Sequence, residues 1–482
     1  MDSFTLIIFG ITGNLAQIKL IPALYDIEEK NLLPKETSII GIARSPQSKE
    51  EFREYIKKVL TSENRHHQHA IKDEVFEKLF TRMHYLNGNL IDRNLYKKLS
   101  QFLSQLDSEN KKLGNRIFYL ATYPDLYDQI FQNLQSEKLN EQKNGWVRLM
   151  IEKPIGNDLK SAKDLNKLLL SYFREDQIYR LDHYLGKETL QNILAFRFGN
   201  GIFEPLLNKD HVDHIQITAT EDFGIGKRGG YYDSVGALKD VGQNHLLQML
   251  AFATMDAPTD YSDAALTKER VKILENLEVD PKNLVLGQYD GYLKEESVNP
   301  NSSTDTFFAF KTMIKNARFK GVPIYVRGGK KLSQTVTEIS IIFKTPHNRL
   351  FKHLRSGTEP NVLIFRIQPN EGIVLKILVK KPGHRWELDP TYMQFCYRLG
   401  SDSHYFPDPY ERLIFDAIKG DQTFFNNVEE VESEWKFIDP LAKSKTKVHS
   451  YNPGSWGPKE ADQFIQKNGR YWLEPSMDFC AI

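Results

Sequence analysis

The chain has 482 residues, 40% apolar and 26% charged, with 64 basic against 63 acidic side chains and a net charge of +1. That length exceeds one ordinary core and predicts two domains, and the near-zero charge leaves no electrostatic footprint for nucleic acid or an anionic membrane. No apolar run reaches membrane-spanning length, the N-terminus lacks the basic start of a signal peptide, and Cys396 and Cys480 have no CxxC spacing. Neither a disulfide framework, a zinc site nor any other metal is expected, and the cytoplasm is the expected compartment.

Thr5–Phe9 reads as a buried parallel strand ending at Gly10-Ile11-Thr12-Gly13-Asn14-Leu15-Ala16, with a helical pattern from Leu15 to Tyr25. Strand, glycine-rich turn and helix form the context in which backbone amides hold a pyrophosphate. Gly10 makes the tight turn, Gly13 lets the backbone approach the phosphates, and Ala16 allows close helix–strand packing. Thr12, Asn14 and Leu15 complete this candidate loop. The next strand, Ser38–Ile42, ends in Ala43-Arg44-Ser45. An arginine at this tip suits a ribose 2′-phosphate, so Arg44 with Ser45 favours NADP over NAD.

Glu50–Leu60 and Glu74–Thr81 read as helices, joined by a connector bearing His66, His67 and His69 that is expected to be a solvated loop. Arg116–Leu120 and Trp146–Ile151 read as buried strands, and the second delivers Glu152-Lys153-Pro154. Ligands of doubly wound sheets sit at the carboxyl ends of strands, which places Lys153 to reach both cofactor and substrate. This alternation predicts a Rossmann-like, doubly wound parallel sheet, followed by a helix over Leu159–Phe173.

Residues 177–188 then read Gln-Ile-Tyr-Arg-Leu-Asp-His-Tyr-Leu-Gly-Lys-Glu. If the run is helical, His183 and Lys187 share one face, and so do Arg180 and Tyr184. The cation and imidazole of the first pair suit a dianionic phosphate, with Tyr184 adding a neutral donor, and Asp182 suits the task of holding an imidazole in one tautomer.

Beyond Gly199-Asn200-Gly201 the alternation stops. A strand over His214–Thr220 ends at Glu221, and a helical run over Tyr231–Met255 carries Asp240, Asn244 and Gln248 on one face with His245 beside them. Strands at 284–289, 306–311, 323–327, 338–343, 362–368 and 373–379 predict a large, mainly antiparallel sheet. Helices over Tyr410–Lys419 and Val428–Phe437 follow. The expected division is an α/β dinucleotide-binding domain over 1–185 and an α+β domain for substrate binding and oligomerisation over 186–482.

The run Arg180–Glu188 resembles the active-site signature of the glucose-6-phosphate dehydrogenase family. Three more stretches resemble that family. They are the Gly10–Ala16 loop (with Asn14 where the family has Asp), Asp240-Val-Gly-Gln-Asn-His245-Leu-Leu-Gln, and the tail over 454–475. Glu152-Lys153-Pro154 is shared with the broader glucose–fructose oxidoreductase group. The resemblance implies oxidation of glucose 6-phosphate at C1 with NADP, with His245 as base and Asp182 orienting it. It further implies His183, Tyr184 and Lys187 on the phosphate, and Lys153, Glu221, Asp240 and Lys330 on the sugar. A second basic residue expected after Lys330 is replaced by Ser333-Gln334-Thr335, where Gln368 is a candidate contributor. The family implies a homodimer or homotetramer.

Overall fold

The computed structural model describes residues 2–62, 70–110, 114–143, 145–346, 359–397 and 405–480; the histidines of the connector at 66, 67 and 69 lie outside the described residues. The chain divides into two compact units. The first comprises Met1–Gly156, Lys160–Gly186 and Pro407–Val428, the second Asn157–Leu159, Lys187–Phe406 and Glu429–Ile482.

In the first unit, short apolar runs form β1 (Thr5–Phe9), β2 (Ser38–Ala43), β3 (Met83–Asn87), β4 (Arg116–Leu120), β5 (Val147–Ile151) and β6 (Ile178–Arg180). Every residue of β1 and β2 is buried, as a parallel strand covered on both faces requires. The strands pair in the order β3-β2-β1-β4-β5-β6, all parallel, the doubly wound arrangement expected from the alternation. The connecting helices are α1 (Ile21–Glu29), α2 (Lys49–Thr61), α3 (Asp73–Thr81), α4 (Arg93–Asn110), α5 (Tyr127–Ser136) and α6 (Leu159–Tyr172). A capping box starts α2: Ser48 Oγ accepts from the Glu51 amide at 3.1 Å, and Glu51 Oε2 accepts from the Ser48 amide at 2.7 Å.

The second unit opens with α7 (Glu188–Phe198), β7 (Val212–Thr220), α8 (Gly229–Ala237), α9 (Leu247–Thr254) and α10 (Asp263–Glu275). Its remaining strands are β8 (Leu284–Tyr289), β9 (Phe307–Thr312), β10 (Ile324–Gly329), β11 (Val336–Phe343), β12 (Val362–Gln368), β13 (Gly372–Lys380) and β14 (Leu388–Cys396). The chain re-enters the first unit as α11 (Pro409–Lys419), then continues through α12 (Val428–Ala442), β15 (Val448–Tyr451) and α13 (Lys459–Gln466). The nine-stranded sheet has the order β14-β13-β12-β11-β7-β10-β9-β8-β15 and is mainly antiparallel, with β10–β7 and β15–β8 parallel.

Four features depart from the sequence reading. The helix entertained for residues 178–186 is strand and turn, while the helix from Glu188 to Phe198 starts where the sequence places it. The helical run over 231–255 is broken at Gly236, whose φ is 76°, and is wound as a π-helix over Leu238–Leu246. The expected division at residue 185 leaves out the return of 407–428 to the first unit, which no local pattern announces. Finally, Cys396 and Cys480 form a disulfide across 84 residues, because the last turn of the chain comes back to the end of β14. Spacing rules read only local cysteine pairs, so this one was invisible to them.

Gly10 has a φ of 93°, and a Cβ there would lie 2.5 Å from the Ala121 carbonyl oxygen at the end of β4. Gly10→Ala is therefore expected to cost about 1–3 kcal/mol, read as a lower thermal midpoint, and to weaken NADP binding. An unchanged midpoint and affinity would mean that the ends of β1 and β4 part freely.

Candidate active site

In the first unit the strand order reverses between β1 and β4, where a doubly wound sheet opens its ligand crevice. The Gly10 amide donates to Ile42 O at 2.9 Å and the Gly13 amide to Gly10 O at 2.9 Å, folding the loop back on β1. Gln17 Nε2 donates to Thr12 O at 2.9 Å. Helix begins at Asn14, which is exposed, while Ala16 is fully buried as its packing role requires. Arg44 and Ser45 stand exposed at the end of β2. A loop too tight for a Cβ at Gly10, a helix start behind it and a cation at the neighbouring strand tip fit a dinucleotide carrying a 2′-phosphate.

At the end of β5, Lys153 precedes a cis bond to Pro154. Glu152 as a residue is only half-buried, yet its carboxylate is covered: Tyr119 Oη donates to Oε1 at 2.5 Å, and Tyr410 of α11 adds a second phenol. Burial pushes this carboxyl up to about 7, against the opposing pull of the Tyr119 hydrogen bond and the Lys153 charge.

Past β6, Asp182 is buried, and its Oδ1 accepts from the Tyr184 amide at 2.9 Å. The His183 ring lies 5.0 Å from that of Tyr184 and 6.3 Å from that of Tyr410, stacked at 14° on the latter. Asp408 caps α11 by accepting from the Tyr410 amide at 2.9 Å and pairs with Lys19 at 3.2 Å. Arg180 takes no part in this donor set: it is buried against Glu175 and Asn166.

In the second unit Lys187 is the residue that precedes α7, and its Nζ donates to Gln368 Oε1 at 2.5 Å. Lys330 is ion-paired with Glu221 and lies 5.3 Å from the ring centre of Phe223 and 5.5 Å from that of Tyr232. Thr335, which stands where a basic residue was expected, is hydrogen-bonded to Asp222 at 2.5 Å. Tyr232 is buried, and burial followed by the charge of Asp240 pushes its phenol far above the usual range.

Asp240 and His245 are both buried on the π-wound segment. The His245 amide donates to Asn244 Oδ1 at 2.7 Å, and Asn244 Nδ2 donates to Asp240 O at 3.1 Å. Of the expected stripe of Asp240, Asn244 and Gln248, Asn244 reaches back to Asp240 and Gln248 pairs with α12. The wider winding turns Gln248 towards α12 together with Gln243, five residues earlier. The first unit thus gathers Lys153, Asp182, His183 and Tyr184 beyond the ends of β5 and β6. The second pairs Glu221 with Lys330 and Lys187 with Gln368, and holds Asp240 and His245 on one helical segment. Tyr410 and Glu434 escaped sequence reading, since each enters from more than 150 residues downstream with no motif of its own.

A parallel dinucleotide sheet of this order, followed by a mixed sheet carrying buried carboxylates, lysines and an imidazole, defines a nicotinamide-dependent oxidoreductase. Residues 7–192 match the description "Glucose-6-phosphate dehydrogenase, NAD binding domain", and residues 194–473 match "Glucose-6-phosphate dehydrogenase, C-terminal domain". The chain belongs to the glucose-6-phosphate dehydrogenase family. It is 40% identical over 493 residues to the glucose-6-phosphate 1-dehydrogenase of Aggregatibacter actinomycetemcomitans, covering 98% of each chain. It is 41% identical to that of Treponema pallidum, covering 98% of this chain and 95% of the relative.

Among solved structures, a glucose-6-phosphate dehydrogenase in complex with glucose 6-phosphate matches at a TM-score of 0.90 and 33% identity, over 98% of this chain and 99% of that one. The enzyme from Mycobacterium avium matches at 0.88 and 33%, over 99% of both chains. A 3-ketoreductase from Actinomadura kijaniata, 10% identical at a TM-score of 0.51 over 94% of this chain and 100% of its own, shares the fold alone.

The elevated Glu152 carboxyl has a testable consequence. The unfolded chain releases this proton near 4.5 and the folded chain only near 7, so the folded state binds more protons in between and stability falls as pH rises through that window. In Glu152→Gln this contribution is absent, and the decline in thermal midpoint from pH 5 to pH 8 is expected to be smaller than in the wild type. Equal declines would mean that the carboxylate is already ionised throughout.

Proposed function

We infer that this chain oxidises D-glucose 6-phosphate at C1 to 6-phospho-D-glucono-1,5-lactone with NADP, the first oxidative step of the pentose phosphate pathway. Membership of the family across nearly the whole chain carries this reading. When bound, NADP accepts the hydride from C1.

The chain's own residues do the rest. Removing hydride from a hemiacetal carbon requires the O1 proton to leave, and an imidazole suits that task near neutral pH. We assign it to His245, with Asp182 orienting the ring and stabilising the imidazolium. His183, Tyr184 and Lys187 hold the 6-phosphate; Lys187 is supported by Gln368, which also offers its amide in place of the basic residue for which Ser333-Gln334-Thr335 stand. Lys153, Glu221, Asp240 and Lys330 hold sugar hydroxyls, and the Glu221–Lys330 pair keeps both side chains aimed together. Gly10, Thr12, Gly13, Asn14, Leu15 and Ala16 cradle the pyrophosphate, Arg44 and Ser45 hold the 2′-phosphate, and Lys153 reaches the cofactor as well. Much of the rate acceleration comes from holding C1 in reacting geometry.

Two further assignments belong to this reading. We assign the chain to the cytoplasm, the compartment expected for this step. We also assign it a homodimer or homotetramer. The support is the edge strand β14 and its neighbour β13, which expose the apolar side chains of Val379, Met393 and Phe395 on one face of the sheet.

Absorbance at 340 nm tests the activity. Rapid reduction of NADP with glucose 6-phosphate is expected, with little reduction of NAD and none with unphosphorylated glucose. His245→Asn is expected to collapse kcat while leaving the substrate's KM largely intact, and near-normal turnover would remove His245 from the base role. Replacing Met393 and Phe395 together by glutamate is expected to yield monomer by light scattering, and an unchanged mass would move the subunit interface elsewhere.

A further inference from the structure

The segment that carries His245 is held in an unusual winding by a carboxylate from another helix. Residues Leu238–Leu246 follow the i→i+5 pattern of a π-helix, a rare geometry found mostly at functional positions. Gln243 and Gln248 flank His245 and are five residues apart. In a regular α-helix, residues at that spacing diverge by about 140° and would not reach one acceptor. Here they do: Gln243 Nε2 donates to Glu434 Oε2 at 3.0 Å, and Gln248 Nε2 donates to Glu434 Oε1 at 2.7 Å.

Glu434 lies on α12 and is buried, as are both glutamines. One turn earlier on α12, Glu430 also accepts from Gln248, at 3.4 Å, and is ion-paired with Arg270 of α10 at 2.5 Å, both side chains having no exposed surface. The other end of the segment is fixed as well, since Asp305 Oδ2 accepts from the Leu238 amide at 2.8 Å immediately after the Gly236 break. An acceptor that takes one bond on each oxygen is satisfied only while the turn between its donors stays wide.

We propose that Glu434 is a positioning residue of the reaction: by bridging Gln243 and Gln248 it holds the wide turn that aims the His245 imidazole, without itself touching substrate. The proposal rests on the assignment of His245 as base. A base displaced by a fraction of an ångström binds substrate as before but removes its proton poorly, so the loss falls on kcat.

Glu434→Gln keeps the shape but leaves one acceptor oxygen for two donors. We expect kcat to fall about tenfold to a hundredfold, with KM for glucose 6-phosphate and for NADP within about twofold of wild type. Exchanging the partners, Gln243→Glu with Glu434→Gln, restores an acceptor for each donor and is expected to recover most of kcat. Gln243→Met removes one arm from the helix side, carries the same expectation, and serves where Glu434→Gln does not fold. A folded variant with kcat within about twofold of wild type, or one losing kcat and KM together with no recovery in the exchange, overturns the proposal. Failure of the base assignment reads differently: His245→Asn would then turn over normally, whatever Glu434→Gln does.

Discussion

One buried guanidinium holds the first unit together around its functional end. Arg180 closes β6 and is almost wholly removed from water, donating to both oxygens of Glu175 and to Asn166. A charge in that position is tolerated only when its donors are met by a fixed fork of acceptors. The same short strand receives the returning chain: the Asn426 amide donates to Arg180 O, Gln422 donates to Glu175 O and Ile178 O, and the Val428 amide donates to Glu175 Oε1. Through these bonds a segment from far downstream becomes part of the dinucleotide unit. It brings α11 with it, and so brings Tyr410 to His183 and Glu152. The arginine of the signature thus works as a structural anchor for the residues that follow it.

The second unit uses buried carboxylates in a comparable way. Glu430 neutralises Arg270, and Glu434 gathers the two glutamines of the π-wound segment. Each of these groups would be costly to bury alone, and each finds a partner in the others. The consequence is a helix whose geometry is set from outside by its neighbours rather than by its own propensity. The disulfide between Cys396 and Cys480 applies the same logic at the sheet edge, tying the last turn of the chain to β14 where backbone pairing has ended.

Much of this organisation was legible in the sequence. Apolar runs bounded by glycine and proline located β1, β4 and β5, because a strand buried on both faces must be apolar along its length. The Gly10–Ala16 loop was readable because the turn at Gly10 leaves no room for a side chain. Arg44 and Lys153 stood out as cations at strand ends, and Asp182, His183, Tyr184 and His245 through their resemblance to the family's motifs.

What the sequence by itself determined is therefore the doubly wound dinucleotide unit, the mainly antiparallel sheet after it, and the motifs of the family. Each of these follows from local periodicity or from a short motif. Only the tertiary structure decided that residues 407–428 return to the first unit and that Cys396 meets Cys480. Only it decided that Arg180 turns inward and that Gln243 and Gln248 share one acceptor. Those outcomes depend on contacts between residues up to hundreds of positions apart, and on burial, which raises the cost of every unpaired charge until a partner is found wherever the chain supplies one.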